Sequence, residues 1–448
     1  LEGLSLKDLL DIKIVSVSKK AESLFGAPLS ASVVTKEEIQ RAGCTSIMEA
    51  LRLMPGMIVR EQTNGNFDVQ MRGVYSGPNP QFDGNSVTSL VMIDGRPIFN
   101  YLKGGTFWET LPVDLNDVEK IEVVRGPAGA LYGPNAVAGV INIITRQVKS
   151  EGLYAVVNSR QGGNNTFINN ASLGYRSKQW NAIVSGNYQH RDRTQSSIYE
   201  FTRNTWLHEP EFLIGVLGDT VPGARGFYSE PGLAMQKYAG NLFVNYEGEK
   251  NMSVNLSAGM EHSLVNKVFA ENGNSPLSES VSDSRYADIR AKIAGFTARL
   301  SFVAGTQVPL PENKYDFQTL DASVEYSITK GNFSIKPGYA YRSAVYDDTR
   351  YATDSLSGMF NSPGRITLNA FSLGGEYKTA NDKWRFVAGI ANNTFNYPDE
   401  INLSYQLAAT WKLRKKHLLR AVISRTPRSS NIFDTYVNQD VFLIPAGY

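Results

Sequence analysis

From about residue 152 onward, apolar and polar positions alternate with a period of two, almost to the end of the chain. Met252, Val254, Leu256, Ala258 and Met260 alternate with Ser253, Asn255, Ser257, Gly259 and Glu261. Ile401, Leu403, Tyr405, Leu407, Ala409 and Trp411 alternate with Asn402, Ser404, Gln406, Ala408, Thr410 and Lys412. Residues 180–189, 238–247, 320–327 and 333–342 follow the same rule. These runs reach about ten residues or more, the length a tilted strand needs to cross a bilayer. Strands of soluble sandwiches average about five or six. The pattern predicts an antiparallel membrane β-barrel.

The connections sharpen that reading. Very short turns recur at Ser177-Lys178-Gln179, 248–251, 329–332, 379–382 and Arg414-Lys415-Lys416, with long polar segments at 192–235 and 264–283 between them. Short turns on one rim and long loops on the other are the pattern of outer-membrane barrels. Trp180, Tyr246, Tyr326, Phe333, Trp384 and Trp411 crowd the short-turn ends, where an interfacial aromatic girdle belongs. About 13 strands are predicted, the last over 418–425, and an odd number does not close a single-chain bacterial barrel of the usual kind. Residues 442–448 do not alternate like a closing strand. The expectation is a chain that carries part of a larger barrel, residues 151–448.

Residues 1 to about 150 obey a different grammar. Ser5 to Leu10 reads as a short amphipathic turn. Thr35-Lys36-Glu37-Glu38 is a capping box that predicts a helix ending near Gly43. A second helix is predicted over Ser46–Met54, stopped by Pro55-Gly56. Short apolar strands follow at 69–71, 90–93, 121–124 and 140–144, each bounded by Gly, Asn, Asp or Pro. This half predicts a compact α+β domain, 18–150, preceded by an N-terminal segment, 1–17.

Composition changes little. A net charge of +2 gives no case for nucleic acid, and no apolar run is long enough for a transmembrane helix. Cys44 is the single cysteine, which excludes an intramolecular disulfide and predicts a small buried apolar side chain. Leu1 is not an initiator methionine, which predicts processing or sequence upstream. The glycines of 126–139 lack the Gly-Lys-Ser/Thr ending of a phosphate loop. No catalytic constellation and no cofactor are expected.

The first half resembles the plug of TonB-dependent outer-membrane receptors, over nearly all of residues 11–148. Ala50-Leu51-Arg52-Leu53-Met54-Pro55-Gly56, Met71-Arg72-Gly73 and Val91-Met92-Ile93-Asp94-Gly95-Arg96-Pro97 carry the likeness. So does Ile121-Glu122-Val123-Val124-Arg125-Gly126-Pro127, continuing through Leu131-Tyr132-Gly133 to 139–145. Any one of these is weak; in this order, ahead of a barrel, they are specific. Ser424-Arg425-Thr426-Pro427-Arg428-Ser429-Ser430 is similar to an Arg-Ala-Pro-Ser segment that such barrels follow with further strands, to about 22 in all.

The resemblance implies a plug inside a barrel and TonB-driven import of a scarce nutrient across the Gram-negative outer membrane. A ferric siderophore or similar metal complex is the first expectation; cobalamin, oligosaccharide or peptide import, or a signal-transducing receptor of the same fold, are the alternatives. TonB with its energising complex, outer-membrane lipid, a small-molecule substrate and, optionally, a surface lipoprotein would be the partners. Arg72 and Arg125 would latch the plug to inward-facing barrel glutamates, for which Glu247, Glu261 and Glu325 have the right phase. Asp11, Ile12, Ile14 and Val15, within Asp11–Val17, resemble the TonB box, which would pair with a TonB strand; a plain plug strand is the other reading. Apical loops at 60–68 and 98–108 would meet substrate through Gln62, Asn64, Asn66, Phe67, Asn100, Tyr101, Phe107 and Trp108, unless these rings pack on the barrel wall. Residues 75–86 would lie at the plug's opposite end. Four histidines, none in the plug, disfavour haem, and His208 reads as a solvated loop residue. Asp347, Asp348 and Asp354 read as an ordinary acidic loop rather than a calcium site.

Overall fold

The computed structural model describes residues 13–19, 22–63, 65–74, 87–194, 198–200, 204–207, 232–249, 251–268, 277–308, 314–352, 358–360, 362–397, 401–414 and 417–436. The expected features at 5–10, 75–86 and 442–448, Asp11, Ile12, His208 and Asp354 lie outside these residues.

The N-terminal domain is built on a five-stranded sheet. In chain order its elements are β1 (Lys13–Ile14), β2 (Glu22–Ser23), β3 (Ser30–Thr35), α1 (Lys36–Arg41), α2 (Ile47–Leu51), β4 (Met57–Thr63), β5 (Asn66–Met71), β6 (Ser89–Ile93), β7 (Arg96–Pro97), β8 (Val118–Arg125), α3 (Gly129–Tyr132) and β9 (Gly139–Thr145). The sheet order is β3-β8-β9-β6-β7, with β6 and β9 parallel, while β4 and β5 form a separate hairpin. The Thr35–Glu38 capping box forms in both directions, and Ser46 caps α2. Ile39, Leu51, Met54, Val69, Val123 and Ile141 build the core between the helices and the sheet. Cys44 is buried in it, and burial pushes its thiol pKa up, as suits an inert side chain. Gly139 is obligatory: with φ at 151°, a Cβ there would meet the Val124 carbonyl oxygen at 2.1 Å.

The second half is one long antiparallel meander. Its strands are β10 (Gly152–Gly162), β11 (Thr166–Arg176), β12 (Trp180–Asp192), β15 (Leu233–Glu247), β16 (Ser253–Val268), β17 (Leu277–Ile293), β18 (Phe296–Val308), β19 (Tyr315–Tyr326), β21 (Phe333–Asp347), β22 (Gly364–Lys378), β23 (Trp384–Phe395), β24 (Ile401–Arg414) and β25 (His417–Arg425). A small hairpin, β13 (Ile198–Glu200) and β14 (Thr205–Leu207), sits in the longest loop, and β20 (Ile328–Lys330) prolongs β19 beyond Ser327. The 13 crossing strands match the expectation, and β10 and β25 are the unpaired edges of an open wall among the described residues.

Exposure decides which side faces what. On β24 the polar residues Ser404, Gln406 and Thr410 are buried at 0%, 1% and 3%, while Leu403 and Leu407 are exposed at 41% and 53%. A soluble sheet does the reverse. The polar face lines the lumen around the N-terminal domain, and the apolar face points outward to lipid. At the short-turn rim Trp180 lies 4.7 Å from Tyr246, Phe296 stacks on Tyr326 at 4.2 Å, and Trp384 stacks on Trp411 at 5.1 Å.

Two expectations about connections need correction. Strand pairing begins at Val268↔Leu277, so residues 264–268 and 277–283 belong to β16 and β17 rather than to a long loop. Nor is the far rim uniformly long, because residues 163–165 join β10 to β11 in a tight turn. Alternation over 264–268 and 277–283 is too polar to be told from loop by sequence.

Candidate functional site

The N-terminal segment is held, not free. Glu122, on the interior strand β8, accepts from the Val15 amide at 3.0 Å and from the Ser16 amide and hydroxyl at 2.8 and 2.6 Å. Tyr132 donates its hydroxyl to the Ser16 carbonyl at 2.6 Å, Asn142 donates to the Ser16 hydroxyl, and Lys120 donates to the Lys13 carbonyl. Ile14 is completely buried beside Leu90, Val124 and Val140. Of the expected TonB-binding residues, Ile14 and Val15 therefore sit inside the domain, in and just after a two-residue strand. The plain plug strand describes this arrangement; pairing with a partner would require their release.

Arg72 and Arg125 do not reach a barrel glutamate among the described residues. Arg125 donates to the Pro55 carbonyl at 2.9 Å and the Ser32 hydroxyl at 2.7 Å, both within its own domain, and Arg72 is exposed at a turn. Burial and the neighbouring Arg72 lower the Arg125 pKa. Charge crosses the interface through other residues, and in both senses. Arg385 of β23 binds Glu22 of β2 and, at 2.8 Å, its neighbour Glu376. Lys19 pairs with Glu325, and Arg191 with Glu61. Arg299, paired with Asp288 at 3.0 Å, donates to the Asp94 carbonyl at 2.6 Å. Gly95 permits that approach: at φ 78° a Cβ would stand 3.0 Å from the Arg299 guanidinium. Of the three lumen-phase glutamates, only Glu325 takes a cation of the plug; Glu261 is buried beside Ser284, and Glu247 is exposed. The phase was legible, and the partners, 306 and 363 residues away in sequence for Lys19 and Glu22, were not.

The apical loops meet the wall more than the vestibule. The side chains of Gln62 and Asn64 lie outside the described residues, while Asn66 and Phe67 are buried, with Phe67 in the core and Gly65 against Met235. Asn100 donates to Gln307 of β18. Tyr101 is buried against Tyr315 and Tyr346; its amide donates to the Tyr346 hydroxyl at 2.8 Å, and its own hydroxyl accepts from Arg342. Phe107 and Trp108 are buried, Trp108 within the core beside Leu111 and Val113. The aromatic rings expected to meet substrate are thus taken up in packing, where each large apolar face is removed from water. After β25 the chain turns into the lumen: α4 (Ile432–Tyr436) donates its Ile432 and Phe433 amides to the Tyr101 and Leu102 carbonyls. Just before it, Ser429 hydrogen-bonds Asn135 and Thr426 accepts from Gly129.

A second contact zone joins the plug to the first barrel strands through amides. Asn241 donates to the Pro112 carbonyl at 2.9 Å, Asn170 to Asp114 at 2.9 Å, and Asn116 to Ser172 at 3.2 Å. Burial raises the Asp117 pKa to about 7, helped by the neighbouring Asp114, whose own pKa burial also raises.

Elsewhere the plug stands off the wall. A cavity of about 550 Å³ opens between the plug's Ser16, Asp94 and Asn142 and the lumen faces of strands β15 to β23. It reaches Lys292, Glu325 and Lys336 near the short-turn rim. Among the described residues no cluster of metal ligands occurs. Asp348 spends its carboxylate on the Met359 and Phe360 amides, and His190 and His262 face Asp192 and Asp283.

The plug family model, TonB-dependent Receptor Plug Domain, matches residues 23–140. The vitamin B12 transporter BtuB of Vibrio vulnificus (strain CMCP6) is 34% identical over 143 residues, covering 31% of this chain and 21% of that protein. The probable TonB-dependent siderophore receptor PirA of Acinetobacter baumannii is 30% identical over 158 residues, 31% of this chain and 19% of that protein. Among solved structures, a ferric enterobactin receptor (PfeA) of Pseudomonas aeruginosa superposes with a TM-score of 0.64 at 18% identity, over 90% of this chain and 63% of that one. The ferric yersiniabactin uptake receptor FyuA of Yersinia pestis gives 0.60 at 14% identity, over 88% and 64%. The chain thus spans less than two thirds of each of these proteins. With a matching plug sequence set inside a lumen-polar, lipid-facing antiparallel wall, residues 23–140 belong to the TonB-dependent receptor plug family, and the chain has the plug-and-barrel fold of these outer-membrane receptors.

Proposed function

We propose that the full-length protein imports a scarce nutrient across the outer membrane, energised by TonB, with a ferric siderophore or similar metal complex as substrate. The observation that carries this reading is the plug itself: a folded domain blocks the lumen, and residues 13–19 are tethered beside the cavity it leaves. TonB would capture the segment around Asp11–Val17 by strand pairing once Ile14 and Val15 leave the plug. Pulling there removes the Glu122 and Tyr132 contacts first and loosens the wall of the cavity next to them. Cobalamin is the second reading, supported by the 34% identity of the plug region to a vitamin B12 transporter. Substrate contact falls to the polar members of the apical set, Gln62, Asn64 and Asn100, more than to the buried rings. A surface lipoprotein remains an optional partner.

Native mass spectrometry with metal analysis, on protein extracted gently from its own outer membrane, tests the reading. An iron-bearing adduct supports siderophore import and a cobalt-bearing one cobalamin import. A metal-free sugar or peptide adduct overturns both.

A further inference from the structure

The charges lining the cavity do not cancel. Six cations face it against four carboxylates. Three of those carboxylates are engaged: Asp288 with Arg299, Asp321 with Arg342, and Glu325 with Lys19. The fourth, Asp94, is deep in the plug, held by the Thr145 amide and hydroxyl, and burial raises its pKa toward the neutral form. Arg290 and Lys292 form no ion pair among the described residues.

Their placement is specific. They stand two residues apart on β17 and share its lumen face. Arg290 lies directly opposite Arg299 on β18 and opposite Asn255 on β16. Like charges facing each other across a strand pair are destabilising, and Asp288, two residues from Arg290, is already paired with Arg299. Such a pair costs stability unless something else neutralises it. A recess with low-dielectric walls focuses the uncompensated field and concentrates counter-ions. At about 550 Å³ the space holds a small organic solute rather than a single ion.

We infer that the cavity is a staging site for a small polyanion, a solute carrying several carboxylate or phosphate groups, with Arg290 and Lys292 as its cationic contacts. This rests on the import reading and adds to it the charge of the solute and a stopping point between plug and wall. Guanidinium and ammonium groups on one face would bind such groups through charge-assisted hydrogen bonds. Asn255 and Ser257, on the next strand, add neutral donors.

The test is equilibrium calorimetry on the full-length protein in detergent at low salt, with citrate and inorganic pyrophosphate as probes and a neutral disaccharide as control. Both anions are expected to bind and the disaccharide not to. The R290Q/K292Q variant should bind them about tenfold more weakly or worse, while the R290K/K292R variant retains binding and Lys178→Gln, on a short turn outside the cavity lining, changes nothing. Heat-modifiable gel mobility checks that each variant is folded. Failure of both anions to bind, or equal binding by R290Q/K292Q, overturns the inference. Metal-complex uptake by a protein that ignores polyanions would leave the import reading standing without the staging site. Anion binding in a protein that imports nothing would remove the staging role.

Discussion

Glu122 holds Ser16 by two bonds, accepting from its amide at 2.8 Å and its hydroxyl at 2.6 Å, while the same carboxylate also takes the Val15 amide. One buried side chain on an interior strand of the sheet thereby fixes the segment that a pulling partner would have to extract. A hydrogen bond to a charged group contributes about 1.5–3 kcal/mol, so with three such bonds lost Glu122→Ala should release the segment by at least about one to two orders of magnitude. Limited proteolysis near residues 13–19 measures this: the variant should be cleaved faster, with the barrel intact. Unchanged cleavage would mean that Ile14 burial alone holds the segment.

Arg385 is flanked by Glu22 of the plug and Glu376 of its own wall. Arg385→Ala leaves Glu22 without this ion-pair partner, beside a Glu376 that keeps Lys378. The expected loss is about 3 kcal/mol or somewhat more, read as a lower unfolding midpoint of the plug. Combining it with Glu22→Gln should recover part of the loss. A double variant no better than the single one would show that the two residues are not coupled.

Asp117 carries a pH dependence. Its folded pKa, about 7, lies above the ordinary value of 3.8, so the folded state binds the proton more tightly. That contribution is complete below pH 3.8 and is lost as pH rises through about 7. Plug packing against the Asn241 wall should therefore weaken between about pH 4 and 7, and Asp117→Asn should flatten the profile. Hydrogen exchange of residues 112–118 across that range is the measurement; a variant with the wild-type profile would contradict it.

At the short-turn rim the Trp384 and Trp411 rings stack at 5.1 Å and 3°. Replacing Trp384 by Ala removes that stacking and one interfacial ring, at about 1–2 kcal/mol. Heat-modifiable mobility should shift to lower temperature. Trp384→Phe should restore most of it, and an equal loss for both variants would argue against ring stacking as the cause.

Local rules were legible and distant partners were not. The Thr35–Glu38 capping box needs only four consecutive residues, and both of its bonds form. The alternation through 401–412 told lumen from lipid because period two fixes a side chain's face whatever surrounds it. Pairing of Arg385 with Glu22 depends on how the plug is rotated inside the wall, which no local pattern encodes. Tyr101, Phe107 and Trp108 stayed open between two readings for a related reason: a loop at the top of a plug adjoins both vestibule and wall, and an aromatic ring suits either. Arg72 and Arg125 carried a family motif but sit where the described wall offers no glutamate, so the motif marked the plug without locating its latch.

The central proposal is that residues 13–17 leave the plug and, with the preceding Asp11 and Ile12, pair with TonB as a strand to drive import. Val15→Pro tests it most directly, because proline removes a backbone donor and disfavours strand pairing. The measurement is uptake of the iron- or cobalt-bearing ligand by cells carrying the full-length protein, alongside ligand binding to the same variant. Uptake should fall to the level of wild-type cells with a collapsed proton gradient, while binding stays intact. Wild-type uptake by Val15→Pro would contradict the account.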